Sequence, residues 1–212
     1  LWETLNRVTK RKPVIILKSG RTPEGKQATA SHTGSLSGED EIYNAIFAQT
    51  GAIRADSLQH LIDLTKTFTS QPLPKGNRFG IITSSGSMGA LATDIAVANG
   101  LVVQPLSPAT VKQVREIAPD WMNVKNPLDM GPSGMFNQLL PMIMNDPLVD
   151  MVLAIIAVPY SAIILFKQLG LKIEDVFGDL ASMRAQLPQD KPLAITVVGH
   201  GDLVDEISRI AG

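Results

Sequence analysis

Between residues 79 and 198 the chain alternates short apolar runs with helical patterns, and that alternation leaves few architectures open. Apolar runs at 79–83, 101–104, 151–158 and 193–198 read as strands, and helical patterns lie near 87–99, 108–118, 135–145, 161–186 and 202–211. The runs are apolar along their whole length rather than at every second residue. Such strands are buried on both faces, which suits a parallel sheet covered by helices on both sides. The expected fold class is α/β: over residues 78–212, a flavodoxin-like doubly wound parallel sheet. Local signals sharpen the helices. Ser107 followed by Pro108 places a hydroxyl cap before a proline at the first helical position. Gly170 is expected to break the 161–186 pattern, and Pro141 to kink or shorten 135–145. Met88 to Ala98 is apolar nearly all round and is expected to be buried.

Upstream the pattern differs. Residues 1–12 read as the end of a helix, with Leu5 and Val8 on its apolar stripe and Lys10-Arg-Lys12 complementing the dipole. Pro13-Val-Ile-Ile-Leu17 reads as a buried strand. Residues 18–38 are rich in Gly, Ser and Thr with almost nothing apolar, and read as a long loop, a type often functional. A helix follows, with Ile42, Tyr43, Ile46 and Phe47 on one face, and Ser37 stands three residues before Asp40 at capping-box spacing. Gly51 is placed to close that helix in a left-handed conformation. Leu58, Leu61, Ile62 and Leu64 mark a second helix over 57–69. Ser70 to Asn77, with two prolines and a glycine, is the best linker. The expected organisation is residues 1–70, a linker at 71–77, and the α/β domain at 78–212. The first part is too short for a complete α/β domain. The chain also opens on Leu1 rather than Met, so it reads as a piece of a longer protein.

Composition narrows function by exclusion. Net charge is −1, and no basic run is longer than Lys10-Arg-Lys12, so there is no electrostatic case for nucleic acid or anionic lipid. The absence of cysteine excludes disulfides, thiolate metal sites and a cysteine nucleophile. No apolar run approaches the roughly 20 residues of a membrane-spanning helix, and no signal peptide is visible.

Chemistry concentrates at two places. His32 lies in the polar stretch between Ser31 and Thr33, with Gly34 and Ser35 after it. An imidazole largely neutral near pH 7 can accept a phosphoryl or acyl group, and the flanking hydroxyls and amides suit either phosphate oxygens or a turn. Lys18 and Arg21 flank the stretch and suit charge balance of a phosphate, Arg21 bidentately. The second place is the turn Thr83-Ser-Ser-Gly-Ser-Met-Gly89 between strand and helix, where Ser85, Gly86, Ser87 and Gly89 would present amides to an anion at a helix N-terminus. No lysine follows the glycine, so this is not a nucleoside-triphosphate P-loop, and tight strand-to-helix packing is the other reading. Asn126-Pro-Leu-Asp129 reads first as a turn, with ligand or loop binding as the alternative. His60 falls in a helix, His200 in a turn after the last strand, and Asp202, Asp205 and Glu206 at a helix start and its exposed face. No His, Asp and Glu cluster has metal-ligand spacing.

Three blocks together resemble one family. Lys18-Ser-Gly-Arg-Thr followed by Ser31-His-Thr-Gly-Ser35 resembles the phosphohistidine loop of the NDP-forming acyl-CoA synthetases, relatives of succinyl-CoA synthetase. Gly80-Ile-Ile-Thr-Ser-Ser-Gly-Ser-Met-Gly-Ala-Leu-Ala-Thr-Asp94 resembles their phosphate-binding turn, and Asn126-Pro-Leu-Asp129 another of their signatures. The blocks occur in the family's order over residues 10–160. One departure is that the family has two adjacent glycines where this chain has Gly86-Ser87.

The resemblance implies that residues 1–70 are the C-terminal half of a histidine-bearing domain whose first half lies upstream. It implies the reversible conversion of acyl-CoA, phosphate and ADP to acid, CoA and ATP, through acyl phosphate and a phosphorylated His32. It also implies partners: a CoA-binding Rossmann domain and an ATP-grasp domain or subunit carrying nucleotide and Mg²⁺, in a cytoplasmic oligomer. No cofactor is expected within these residues, and the chain alone is expected to be inactive. Two other readings stay open. One is a non-catalytic ligand-sensing module of the kind fused to acetyltransferases, which Ser87 leaves room for. The other is a flavodoxin-like nucleotide or flavin binder, disfavoured because neither tryptophan lies in a phosphate turn.

Overall fold

The computed structural model describes residues 1–33, 38–170, 180–201 and 204. Contacts divide the chain into two units, Leu1–Gln71 and Pro72–Gly212.

The first unit runs α1 (Trp2–Val8), β1 (Ile15–Leu17), α2 (Pro23–Thr33), α3 (Asp40–Thr50), β2 (Ile53–Ala55) and α4 (Leu58–Ser70). β1 and β2 pair in parallel, Ile15 opposite Ile53 and Leu17 opposite Ala55. β2 went unread in the sequence because three residues with an arginine at the centre make no apolar run. Its cause lies next door: Gly51 closes α3 at φ 72°, donating to Phe47 O, and turns the chain back beside β1. Ser57 caps α4 by accepting from His60 N at 3.1 Å.

Two expectations fail in this unit. Residues 18–38 are not one loop, because they contain the eleven-residue helix α2. The capping residue of α3 is Glu39, which makes no side-chain cap bond, and Ser37 lies outside the described residues.

The second unit runs β3 (Phe79–Thr83), α5 (Gly86–Ala98), α6 (Pro108–Ile117), β4 (Leu128–Asp129), α7 (Phe136–Met144), β5 (Met151–Ala157), α8 (Tyr160–Gln168), α9 (Leu180–Gln186) and β6 (Leu193–Val198). Its four strands form one parallel sheet in the order β4-β3-β5-β6, the α/β class expected. The core is built from strand residues such as Ile82, Leu128, Val152 and Ile156 against Leu139, Leu140, Ile143 and Met144 of α7, all nearly or wholly inaccessible. Ser107 Oγ accepts from Thr110 N at 3.2 Å, and Pro108 opens α6, as the dipeptide announced. α7 is nine residues long with Pro141 inside it. Gly170 follows α8 with φ 65°, while the 202–211 pattern falls mostly outside the described residues.

Two corrections concern the edge of β3 away from β5, and a third concerns α5. The 101–104 run is not a strand of the sheet; it contributes one bridge, Val102 to Arg78. Farther along that edge Leu128 pairs with Ile82 and Asp129 with Thr83, so the expected turn ends in β4. Between these two contacts the Asn126 side chain replaces a strand. Its Nδ2 donates to Phe79 O at 2.8 Å and Gln104 O at 2.9 Å, and its Oδ1 accepts from Ile81 N at 2.9 Å. A side-chain amide carries the same donor and acceptor as a peptide group, so it satisfies the exposed ladder positions of β3. Last, α5 is not buried: only Gly89 and Ala96 are, whereas Leu91, Ile95 and Val97 are each more than half exposed. A helix apolar on every side still turns only one strip to the sheet.

Candidate functional site

His32 lies in the last turn of α2. That helix forms without an apolar stripe. Thr22 Oγ1 accepts from Gly25 N at 3.1 Å at its start, Pro23 opens it, and Glu24 suits its first turn. Lys26, Gln27, Ala28 and Ala30 are good helix formers. The Ser31 hydroxyl donates to Ala28 O at 2.7 Å, so its proton is committed to its own helix. The side chains of His32 and Thr33, and residues Gly34 and Ser35, lie outside what is described.

Charged side chains bracket this stretch. Lys18 places Nζ 3.9 Å from Asp40 Oδ1 and 4.4 Å over the Tyr43 ring. Arg21 pairs with Asp56 at 3.2 Å on an exposed surface. Lys26 of α2 pairs with Glu39. Both cations expected to balance a phosphate, Lys18 and Arg21, thus already face a carboxylate. Arg54 of β2 donates to Asp40 Oδ1 at 2.8 Å and to Asn44 Oδ1, while its Nε is buried without a partner among the described residues. The hydrogen bond from Arg54, working against partial burial, lowers the Asp40 pKa, and the charges of Arg54, Lys18 and Arg21 add to the effect.

The second candidate is the turn from β3 into α5. Thr83 Oγ1 accepts from Ser85 N and donates to Ser85 O, both at 2.9 Å. Ser84 Oγ accepts from Ala157 N at 2.8 Å and donates to Ala157 O at 3.1 Å, fastening the turn to β5. Ser85 precedes α5 without making a side-chain cap bond, and its Oγ lies 3.2 Å from Ser87 Oγ on the exposed rim. The glycines have separate reasons. A methyl group at Gly89 would meet Thr83 Cγ2 at 3.0 Å and Pro127 Cβ at 3.3 Å, so a side chain there would press on both neighbours and close packing favours glycine. A methyl group at Gly86 would lie 2.7 Å from Asp129 Oδ2. Asp129 thereby stands at the first residue of α5, where negative charge is favoured, and its Oδ1 accepts from Gly131 N at 2.9 Å. The Asn126–Asp129 block therefore both patches the sheet edge and lies against the β3–α5 turn, which neither sequence reading combined. The strand-to-helix packing reading of Gly89 is compatible with an amide-lined turn at Gly86 and Ser87, the Ser85 amide being already given to Thr83 Oγ1.

His60 Nδ1 accepts from Asp56 N at 3.3 Å, a local turn contact. The His200 ring lies 5.8 Å from that of Tyr160, at the carboxyl ends of β6 and β5. At the amino ends of the strands a cavity of about 400 Å³ is lined by Lys75, Arg78, Asp146, Asp150, Asp190 and Lys191. Sequence reading gave no sign of it, because these residues meet only when the strands are aligned. Burial lowers the Lys191 pKa, and its Nζ donates to Asp146 O at 2.9 Å. Among the described residues no group of three His, Asp or Glu side chains is placed to hold a metal. No helix among them is long and apolar enough to cross a membrane.

Residues 1–68 match the family described as the succinyl-CoA ligase like flavodoxin domain. The chain is 41% identical over 163 residues to the alpha subunit of acetate–CoA ligase [ADP-forming] II from Pyrococcus furiosus, covering 76% of this chain and 35% of that protein. It is 44% identical over 124 residues to acetate–CoA ligase [ADP-forming] from Methanocaldococcus jannaschii, covering 58% of this chain and 18% of that protein. The chain thus spans about a third or less of the length of these relatives. A dinucleotide-forming acetyl-coenzyme A synthetase 1 from Ca. Korarchaeum cryptofilum, solved with phosphate and ADP, shares the fold at TM-score 0.77 and 24% identity over 99% of this chain and 44% of that one. A Pyrococcus horikoshii OT3 protein of known structure matches at TM-score 0.73 and 28% identity over the same shares. With residues 1–68 matching that family and 76% of the chain aligning at 41% identity with an ADP-forming ligase subunit, the chain belongs to the NDP-forming acyl-CoA synthetase family, the relatives of succinyl-CoA synthetase.

Proposed function

We propose that this chain supplies the phosphoryl carrier and part of the phosphate site of an acid–thiol ligase that interconverts acyl-CoA, phosphate and ADP with acid, CoA and ATP. A phosphate oxygen attacks the thioester carbonyl, the C–S bond breaks, and CoA leaves as the thiol, giving an acyl phosphate. An imidazole nitrogen of His32 then attacks phosphorus, and the carboxylate leaves. Phospho-His32 passes the phosphoryl group to ADP. Ser31, Thr33 and Gly34 beside His32, and Ser85, Gly86, Ser87 and Gly89 in the second unit, are the groups assigned to phosphate oxygens. In Ser87 the glycine-to-serine change keeps the backbone amide, and an exposed hydroxyl is added beside Ser85.

The observations that carry this reading are the 41% identity over 163 residues to an ADP-forming ligase alpha subunit and the family match over residues 1–68, which include His32. CoA, nucleotide and Mg²⁺ are assigned to a CoA-binding Rossmann domain and an ATP-grasp domain, in the same polypeptide or in another subunit. Alone, the chain is expected to be inactive. The use of CoA and adenine nucleotides suits a reaction in the cytoplasm.

The test is His32→Asn in the full-length protein. ATP formation from acyl-CoA should be abolished with the fold retained, since a polar residue at a helix end contributes little to stability. The acid-labile, base-stable phosphate of a phosphohistidine should disappear with it, while His60→Asn and His200→Asn keep most activity. Normal turnover by His32→Asn, or a label that maps to His200, would sink the mechanism.

A further inference from the structure

We infer that Asp40, gripped by Arg54, is a positioning residue for the segment that carries His32; the inference rests on His32 being the phosphoryl carrier. The segment leaves β1 at Lys18, runs through α2, and is followed by α3, whose first residue is Asp40. Arg54 is the central residue of β2, opposite Ile16 of β1. Its Nη2 donates to Asp40 Oδ1 at 2.8 Å and its Nη1 donates to Asn44 Oδ1, one helical turn further on. Two bonds from one planar fork fix α3 both along its axis and in rotation about it.

The other end of the segment meets the same carboxylate, because Lys18 Nζ lies 3.9 Å from Asp40 Oδ1. Lys26, inside α2, closes onto the neighbouring Glu39. Side chains from the β1 exit, from α2 and from β2 therefore converge on two adjacent carboxylates, and His32 lies between the points they tie down. Asp40 and Arg54 side chains are only 18% and 13% exposed, so water screens this pair far less than the surface pair Arg21–Asp56. The buried Arg54 Nε finds no partner among the described residues, a feature that works against stability. What the fork adds is orientation. Phosphoryl transfer depends on that, since a misplacement of about 1 Å can cost about 100-fold in rate.

The experiment compares Asp40→Asn, Arg54→Lys and Asp63→Asn in the full-length protein. Asp63 is a control whose Oδ1 accepts from Gln59 Nε2 on exposed α4. Turnover, the KM values for acyl-CoA and inorganic phosphate, the rate of His32 phosphorylation read by mass spectrometry, and thermal unfolding are measured together. Asp40→Asn is expected to lower kcat and His32 phosphorylation by about 10- to 100-fold, with KM values within about twofold and the protein folded at the assay temperature. Arg54→Lys keeps the charge but loses the fork, and should show the same split to a smaller degree; it carries the test if Asp40→Asn does not fold. Asp63→Asn should remain within about twofold of wild type. A folded Asp40→Asn or Arg54→Lys with normal kcat, or one whose loss lies in KM, overturns the positioning role and leaves the carrier reading intact. A wild type in which His32 is never phosphorylated overturns both.

Discussion

Two arginine–aspartate pairs show how differently the two units are held. In the second unit Arg78 and Asp150 join through Nε at 2.8 Å and Nη2 at 2.6 Å, with the Asp150 side chain 7% exposed. In the first, Arg21 and Asp56 meet through one bond at 3.2 Å, with side chains 48% and 66% exposed. The surroundings follow suit. The second unit packs four strands and α7 into one large apolar cluster, whereas the described core of the first reduces to Leu5, Phe47 and Ala55 with the buried Thr50. The same chemistry is structural in one unit and marginal in the other, because the dielectric around it is set by the apolar mass behind it. Asp40–Arg54 is the exception in the first unit, and it sits at the base of the segment that carries His32.

The sharpest way to break this comparison is Asp150→Ala. Removing Asp150 strips the acceptor from Arg78 N and from a guanidinium that is 37% exposed and so partly rehydrated, and the expected loss is about 1–3 kcal/mol by chemical denaturation of the second unit. The same pair predicts an acid dependence. Hydrogen bonding from Arg78 lowers the Asp150 pKa from 3.8 to about 2. A depressed folded-state pKa gives stability that is present above the unfolded value and is lost as pH falls through the folded one. On the order of 2 kcal/mol should therefore disappear between about pH 4 and pH 2, and a flat stability profile over that window would contradict the assignment.

Asn126→Ala tests whether a side chain really stands in for a strand. It strips partners from Ile81 N, Phe79 O and Gln104 O, and should cost about 1–3 kcal/mol, with faster amide exchange at Ile81. The smallest effect belongs to the exposed pair. Asp56→Asn should change the melting of the first unit by less than about 0.5 kcal/mol, and a larger shift would mean that the surface charges there carry more of the fold than the comparison allows.

How far each feature could be read depended on how local its cause was. Ser107-Pro108 announced α6 because cap and proline act within one turn, and Gly51 ended α3 for the same reason. The uniformly apolar β5 could belong only inside a sheet. α2 stayed hidden because hydrophobic period is the usual signal for a helix, and this one, built from Lys, Gln and Ala, is only partly buried and carries no apolar stripe. His32 was picked out by residue type and by the block around it, yet its place at the end of a helix was not visible there. At the β3–α5 turn the glycines were legible, but not which glycine serves packing and which leaves room for Asp129.

The sequence alone therefore determined the parallel α/β class, the principal helices with local caps, and the identity of the His32 and Ser85–Gly89 blocks. All of these follow from residue type, period and neighbours within a few positions. Tertiary structure decided what depends on partners distant in the chain: the pairing that makes β2 and β4 strands, the demotion of 101–104 once Asn126 takes its place on β3, the exposure of α5, and the meeting of Arg54 with Asp40. A hydrogen-bonding edge or a charged fork acquires its role only from what folding brings opposite it.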